Sequence, residues 1–297
     1  MNFDFRWAFV KQPEGTAIFK SLPEDFIVDE VPLETPSGEG EHLWLKVRKR
    51  GENTHWIADQ LALSAEVAPN DVGVAGRKDR HAVTTQWFSI YDPKQQLSPE
   101  RLVFSGELLE AKRHVKKLRR GMLLGNRFQI RLRHCSLAEE IVDACQRVQV
   151  QGVPNYFGMQ RFGRDQQNVA RAWQLAQKRK LNKRGNDIYL SAARSYLFNH
   201  LVSQAIHEGH WRDAELEMWG RGRASQWAID ALNPWKDLAD ALEFTGLKQD
   251  KRAARLQPEE LSYQREADVV DLSFTLPAGG YATTVLREIT NLKEERE

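Results

Sequence analysis

The chain has 297 residues, 41% hydrophobic and 28% charged, and its 43 Lys and Arg against 41 Asp and Glu leave a formal charge of +2. That length admits two compact domains or one large domain with an insertion, and the composition excludes a disordered or fibrous chain. No apolar run approaches the roughly 20 residues that cross a bilayer, and the opening MNFDFRWAFVKQ lacks the regions of a signal peptide, so a soluble, cytoplasmic protein is expected.

Period-2 alternation predicts strands over 26–31, where Phe26, Val28 and Glu30 share one face, and over 43–48. TPSGEGE between them reads as a turn, and Thr54 is placed to cap a helix bearing Trp56, Ile57 and Leu61. A strand near 71–75 runs into GRKDRHA, and 83–91 is again extended, so Lys78, Asp79 and Arg80 lie on a loop between strands. Phe128, Ile130 and Leu132 then alternate with Gln129, Arg131 and Arg133, a basic row on one sheet face suited to phosphate. Ser136 and Glu139 form a capping-box pattern ahead of a helical stripe of Leu137, Ile141, Cys145 and Val148. From Pro154 to about Asp250 the pattern is almost wholly helical, with helices over 165–180, 191–207 and 235–244. Strand alternation returns over 270–276, then the PAGG turn and a terminal helix over 281–292. The expected organisation is an α+β sheet domain built from both ends of the chain, with a helical module inserted between them.

The small net charge conceals two basic blocks. Residues 101–134 carry ten Lys/Arg against two Asp/Glu, and residues 155–200 carry nine against two. Such blocks in a near-neutral chain suit a polyanion, although solvated helix and strand faces account for most charge runs. Interleaved aromatics, among them Tyr156, Phe157, Phe162, Trp173, Tyr189, Tyr196 and Phe198, favour nucleic acid, while many of them also suit a core. Cys135 and Cys145 read as buried free thiols. His207 and His210 lack further ligands of suitable spacing, so no metal is expected, and no phosphate-loop, dinucleotide or nucleophile-elbow motif is present.

The segment AGRKDRHAVTTQ, residues 75–86, offers a carboxylate, Asp79, between Lys78 and Arg80 on a short loop. An exposed β-turn is its plain explanation. Flanking cations favour an ionised carboxylate, however, and anchoring strands fix its position, as a nucleophile requires.

Six segments decide how that loop is read: PEDFIVDE, AGRKDRHAVTTQ, GNRF, GVPNYFGMQRFG, LSAARSYLFNHLV and LPAGGYATTVLREI. In this order they resemble the tRNA pseudouridine synthase D (TruD) family over nearly the whole chain. The resemblance implies a pseudouridine synthase catalytic domain with a mixed, largely antiparallel sheet, formed by 1–152 with 252–297 and interrupted by a mainly helical insertion over 153–251. It implies isomerisation of a tRNA uridine, position 13 foremost, to pseudouridine. Asp79 then falls on the family's nucleophile, and Phe26, Asn126 and Tyr281 on its substrate-binding positions. Tyr281 stands where the family pattern has Phe, and the stretch 220–250 is shorter than the pattern leads one to expect.

The reaction breaks the bond from ribose C1′ to uracil N1 and rejoins the base through C5, without redox change or hydrolysis, so no cofactor is implied. Asp79 attacks either ribose C1′ or uracil C6. A flipped uridine would be held between Phe26 and Phe128, with Phe128 equally a core residue, and Asn126 offers a donor and an acceptor to the uracil edge. Lys20 and Lys78 compete as the cation beside Asp79. Arg113, Lys116, Lys117, Arg119 and Arg120 are candidate tRNA phosphate contacts. A monomer needing no protein partner or membrane is expected. A noncatalytic RNA-binding protein and a carboxylate glycosidase are the rivals, the second lacking an obvious partner carboxylate.

Overall fold

The computed structural model describes residues 2–9, 11–182 and 185–294. In chain order the elements are β1 (Thr16–Phe19), β2 (Phe26–Pro32), β3 (His42–Arg50), α1 (Thr54–Ser64), β4 (Val72–Val74), β5 (Val83–Tyr91), β6 (Glu107–His114), β7 (Leu123–Arg133) and α2 (Ala138–Gln151). Then follow β8 (Val153–Pro154), α3 (Gln167–Gln177), α4 (Asp187–His207), β9 (Glu215–Met218), α5 (Gln226–Ala231), α6 (Lys236–Glu243), β10 (Asp250–Ala253) and β11 (Arg255–Leu256). The chain closes with β12 (Glu259–Glu266), β13 (Val269–Pro277), α7 (Ala282–Ile289) and β14 (Asn291–Glu294).

The described residues pack as two compact units. Of these, the sheet unit draws on 15–142, 259–279 and 292–294, the helical unit on those within 2–14, 143–258 and 280–291. The helical unit is thus larger than the segment 153–251. Phe5 stacks on Tyr156 at 5.4 Å, the Ala8 amide donates to Glu288 Oε2 at 3.0 Å, and β8 pairs with β11 through Val153 and Leu256. Those contacts join the N-terminal residues to the start of the segment and to α7, and the two flanks of the segment to each other.

In the sheet unit the strands run in the order β12-β13-β7-β2-β5-β3-β6, with β1, β4 and β14 attached at the side. Only β2 and β5 pair in parallel among the registers described. Alternation sets this architecture: Phe26, Val28 and Glu30 of β2 face inward, as do Phe128, Ile130 and Leu132 of β7. Strand β5 lies between β2 and β3 and is buried along almost its full length, so alternation disappears there.

Several local expectations are corrected. Asn53, not Thr54, caps α1 by accepting the Trp56 amide, which frees the Thr54 hydroxyl for another task. Ser136 does not cap α2; its Oγ accepts the Thr16 amide at 2.9 Å, and Leu137 is exposed at φ +52° instead of joining the stripe. Left-handed backbone at Asp165 and Gln166 delays α3 to Gln167. The helical stretch contains a β-ladder, β9 with β10, and the terminal helix stops at Ile289 to leave β14. Both cysteines are buried and free of disulfide. Among the described residues no helix is long and apolar enough to cross a membrane.

The helical unit buries Phe162, Tyr196, Phe198 and Trp211 around α4, so much of the aromatic interleaving belongs to its core. His200 lies in that core between Tyr196 at 4.5 Å and Trp235 at 4.8 Å, and burial lowers its pKa from 6.5 to about 4. The unfolded chain therefore takes up a proton between pH 6.5 and 4 that the folded chain refuses, and stability falls as pH falls through that window. His200→Gln is expected to lose about 2 kcal/mol less than the parent between pH 7 and pH 5, measured by urea unfolding followed through tryptophan fluorescence. Equal losses would contradict the assignment.

Candidate active site

The loop between β4 and β5 carries Asp79 outward on a backbone tied to buried groups. Thr54 accepts the Lys78 amide at 2.9 Å and donates its hydroxyl to Gln86 Oε1 at 2.8 Å. Gln86 donates Nε2 to the Gly76 carbonyl at 3.2 Å, and the Gly121 amide donates to the Ala75 carbonyl at 2.8 Å. Lys49, near the end of β3 and 1% exposed, donates Nζ to the Glu52 carbonyl at 2.6 Å and to the Asp79 carbonyl at 3.3 Å. Burial brings the Lys49 ammonium down to a pKa of about 8, with the charge of Asp79 pulling the other way.

Lys78 turns away from its neighbour. Its Nζ bonds Glu30 Oε2 at 2.6 Å in a pair only 5% and 1% exposed, and Glu30 Oε1 accepts the Trp87 amide at 3.2 Å. The cation that reaches Asp79 is Lys20, whose Nζ lies 3.2 Å from Oδ2. Lys20 follows β1 at φ +62° and sits 4.1 Å from the Phe26 ring centre. The Asp79 side chain remains 57% exposed, so the carboxylate is open to a ligand while its main chain is held from below.

Phe26 and Phe128 are both buried, their ring centres 5.9 Å apart and tilted by 41°, and they pack further on Phe19 and Phe274. Rings at that separation touch one another, so they form an apolar floor and leave no slot for a base between them. Asn126 shares the Phe128 face of β7, and its Oδ1 is buried without a hydrogen-bond partner. Tyr281 belongs to the helical unit, where it precedes α7 with its ring 6.1 Å from Phe157.

The basic candidates divide. Arg113 bonds the buried Asp92 at 2.7 Å, Lys116 bonds Glu34 at 2.8 Å, and Lys117 donates to the Asn70 carbonyl. Arg119 and Arg120 are exposed. The basic row of β7 is neutralised: Arg131 makes a two-pronged pair with Asp271, both distances 2.8 Å, and Arg133 does the same with Asp25 at 2.9 and 2.7 Å. That face is therefore not the free phosphate surface its sequence suggests.

Lys49, Glu30, Thr54 and Gln86 were not picked out from the sequence. A signal existed for two of them, since Glu30 is in phase with Phe26 and Val28, and Lys49 with Leu43, Leu45 and Val47. A charged side chain on the inward face of a strand must find a buried partner.

These features define a carboxylate-centred site on the mixed sheet of an α+β protein. A family model described as tRNA pseudouridine synthase D (TruD) matches residues 4–172 and 236–289. The chain is 41% identical over 310 aligned positions to the tRNA pseudouridine synthase D of Cellvibrio japonicus, covering 95% of this chain and 92% of that protein. To the corresponding protein of Aeromonas hydrophila it is 39% identical over 327 positions, covering 95% and 93%. A crystal structure from Methanosarcina mazei, described under the same family name, superposes with a TM-score of 0.71 at 19% identity and covers 97% of this chain and 94% of that one, a likeness of fold. The chain belongs to the tRNA pseudouridine synthase D family.

Lys49→Met is expected to leave the sheet folded and to raise hydrogen exchange at the Lys78 amide at least about tenfold, because the Asp79 carbonyl loses its buried donor. Unchanged exchange would show that the loop does not depend on the ammonium.

Proposed function

We propose that this protein isomerises a uridine of tRNA, at position 13, to pseudouridine, with Asp79 as the nucleophile. The observation that carries the reading is the Asp79 carboxylate, exposed beside Lys20 at 3.2 Å and on a loop whose backbone is anchored by buried groups. Such a carboxylate can approach an electrophilic carbon without first reorganising its own main chain, which is where positioned nucleophiles gain rate.

A uridine in a folded tRNA arm is stacked or paired and must be extruded. Its base is received over the floor of Phe26 and Phe128, and Tyr281 of the helical unit offers an aromatic face to the RNA. The buried Asn126 Oδ1 accepts from the uracil N3–H, which satisfies an atom otherwise left without a partner. Asp79 adds to ribose C1′ or to uracil C6, the C1′–N1 bond breaks, the base turns, C5 bonds C1′, and the bond from Asp79 to C1′ or C6 breaks to return the free carboxylate. The proton lost from C5 is balanced by one gained at N1, so the reaction needs no cofactor.

Lys20 faces the reacting carboxylate and the base together. The exposed Arg119 and Arg120, with Arg113, Lys116 and Lys117 where their internal pairs open, supply phosphate contacts that add affinity without sequence choice. In this reading 1–152 with 252–297 is the catalytic domain and 153–251 the family's insertion. The protein works in the cytoplasm as a monomer.

A tRNA transcript incubated with the protein and mapped by carbodiimide-dependent primer extension is expected to stop at position 13. Asn126→Ala is expected to lower kcat/KM by about one to two orders of magnitude, with tRNA affinity within about twofold. Modification confined to other positions would overturn the site assignment, and no modification of any tRNA, despite binding, would favour a noncatalytic RNA-binding protein.

A further inference from the structure

The helical unit holds a second cationic cluster that the chemistry at Asp79 does not use. Arg161 and Arg252 both lie against the Phe157 ring, their guanidinium carbons 5.4 and 4.3 Å from its centre. Arg194 approaches from α4 and donates Nη2 to the Met218 and Lys248 carbonyls at 2.8 and 2.7 Å. Arg252 is committed to Asn155, donating to its Oδ1 at 2.5 Å. Arg161 is different: no hydrogen bond to its guanidinium is formed among the described residues, and its Nε is buried without a partner, as is that of Arg194. Neither Arg161 nor Arg194 is paired with a carboxylate within salt-bridge distance among those residues. A cavity of about 210 Å³ opens between them, bounded by Phe157, Arg161, Arg194, Ser191 and Ser195, with the exposed Asp187 also at its wall.

Packing alone explains Arg252, whose guanidinium covers an aromatic face and ties down a loop amide. It does not explain Arg161. A guanidinium has five donors, and leaving a buried one unmatched costs free energy that a ligand with several acceptor oxygens would recover. The planar fork suits phosphate. Like charges also sit close together here, since Arg161 depresses Arg252, whose pKa burial first brings down to about 10. The cavity wall carries two guanidinium groups, Arg161 and Arg194, against one carboxylate, the exposed Asp187, and Asp250 acts on Arg194 from nearby.

Phe157, which Arg161 and Arg252 cover, is 6.1 Å from the Tyr281 ring, so the cavity adjoins the aromatic face that Tyr281 offers to the RNA. We infer that the cavity formed by Phe157, Arg161 and Arg194 binds a phosphodiester of the RNA substrate next to the nucleotide that stacks on Tyr281. This inference rests on the synthase reading for its ligand.

The test is the affinity of a fluorescently labelled tRNA transcript, read by anisotropy from 0.05 to 0.3 M salt, for the parent protein, Arg161→Gln and Ser191→Asp. Arg161→Gln is expected to weaken binding about tenfold at 0.1 M salt and to reduce the salt slope by about one. Ser191→Asp leaves every arginine in place and puts a carboxylate into the cavity, so it tests the same claim if the glutamine variant fails to fold; a loss of similar size is expected. tRNA affinity and slope unchanged in a folded variant would overturn the inference. So would saturable stabilisation of the parent by inorganic phosphate that Arg161→Gln abolishes while tRNA affinity stays the same, since that pattern marks a site for a small phosphate compound. The readout is binding, so a parent protein that modifies no tRNA refutes the synthase reading whichever way the arginine comparison falls. An active enzyme with unchanged affinity on substitution refutes this inference alone.

Discussion

A carboxylate that must meet a substrate has to face solvent and still keep its place, and here the buried Lys49 ammonium beneath the Asp79 carbonyl reconciles the two demands. Burying a cation is costly, as its depressed pKa records. The chain bears that cost at one end of the loop and a second one beside it, where Lys78 and Glu30 are buried as a pair. Removing one partner of such a pair typically costs about 3–5 kcal/mol, so the loop's conformation is coupled to the integrity of the sheet beneath. The exposed Lys20–Asp79 pair adds little to stability; its consequence is chemical, because it sets a cation beside the carboxylate.

The order of strands follows from the same requirement. Strand β5 ends the loop and lies between β2, which brings Glu30 and Phe26, and β3, which brings Lys49. The parallel β2–β5 pairing sets Ile27 opposite Val83 and Val28 opposite Thr84, so the start of β2 and the end of the loop fall at the same edge. A register slip of one residue in β2 would turn Phe26 and Glu30 to the other face and dismantle floor and pair together. Fold and site are therefore specified by one alternation.

Much of that alternation was readable. The strands β2, β3 and β13 are legible because hydrophobic period and strand coincide, β5 as an extended stretch without that period, and the loop bearing Asp79 by its residue types and by the family resemblance. What escaped had physical causes. The β9–β10 ladder pairs four-residue strands separated by more than thirty residues, and ELEM carries no period long enough to oppose a helical context. Thr54 and Ser136 are good capping residues diverted to tertiary bonds, which local pattern does not reveal. Arg131 and Arg133 looked like a free basic row because their partners, Asp271 and Asp25, are more than a hundred residues away. Lys49 and Glu30 were visible only as charges in phase with apolar neighbours. The choice between Lys20 and Lys78 depended on which side of the loop each emerges, a three-dimensional fact.

The proposed role of Asp79 as the group that reacts is measured most directly by release of tritium from a tRNA transcript labelled at uracil C5. Under single-turnover conditions the parent protein is predicted to release one tritium per modified uridine, and Asp79→Asn to release none while still binding the transcript. Release by Asp79→Asn at the parent rate would contradict the account.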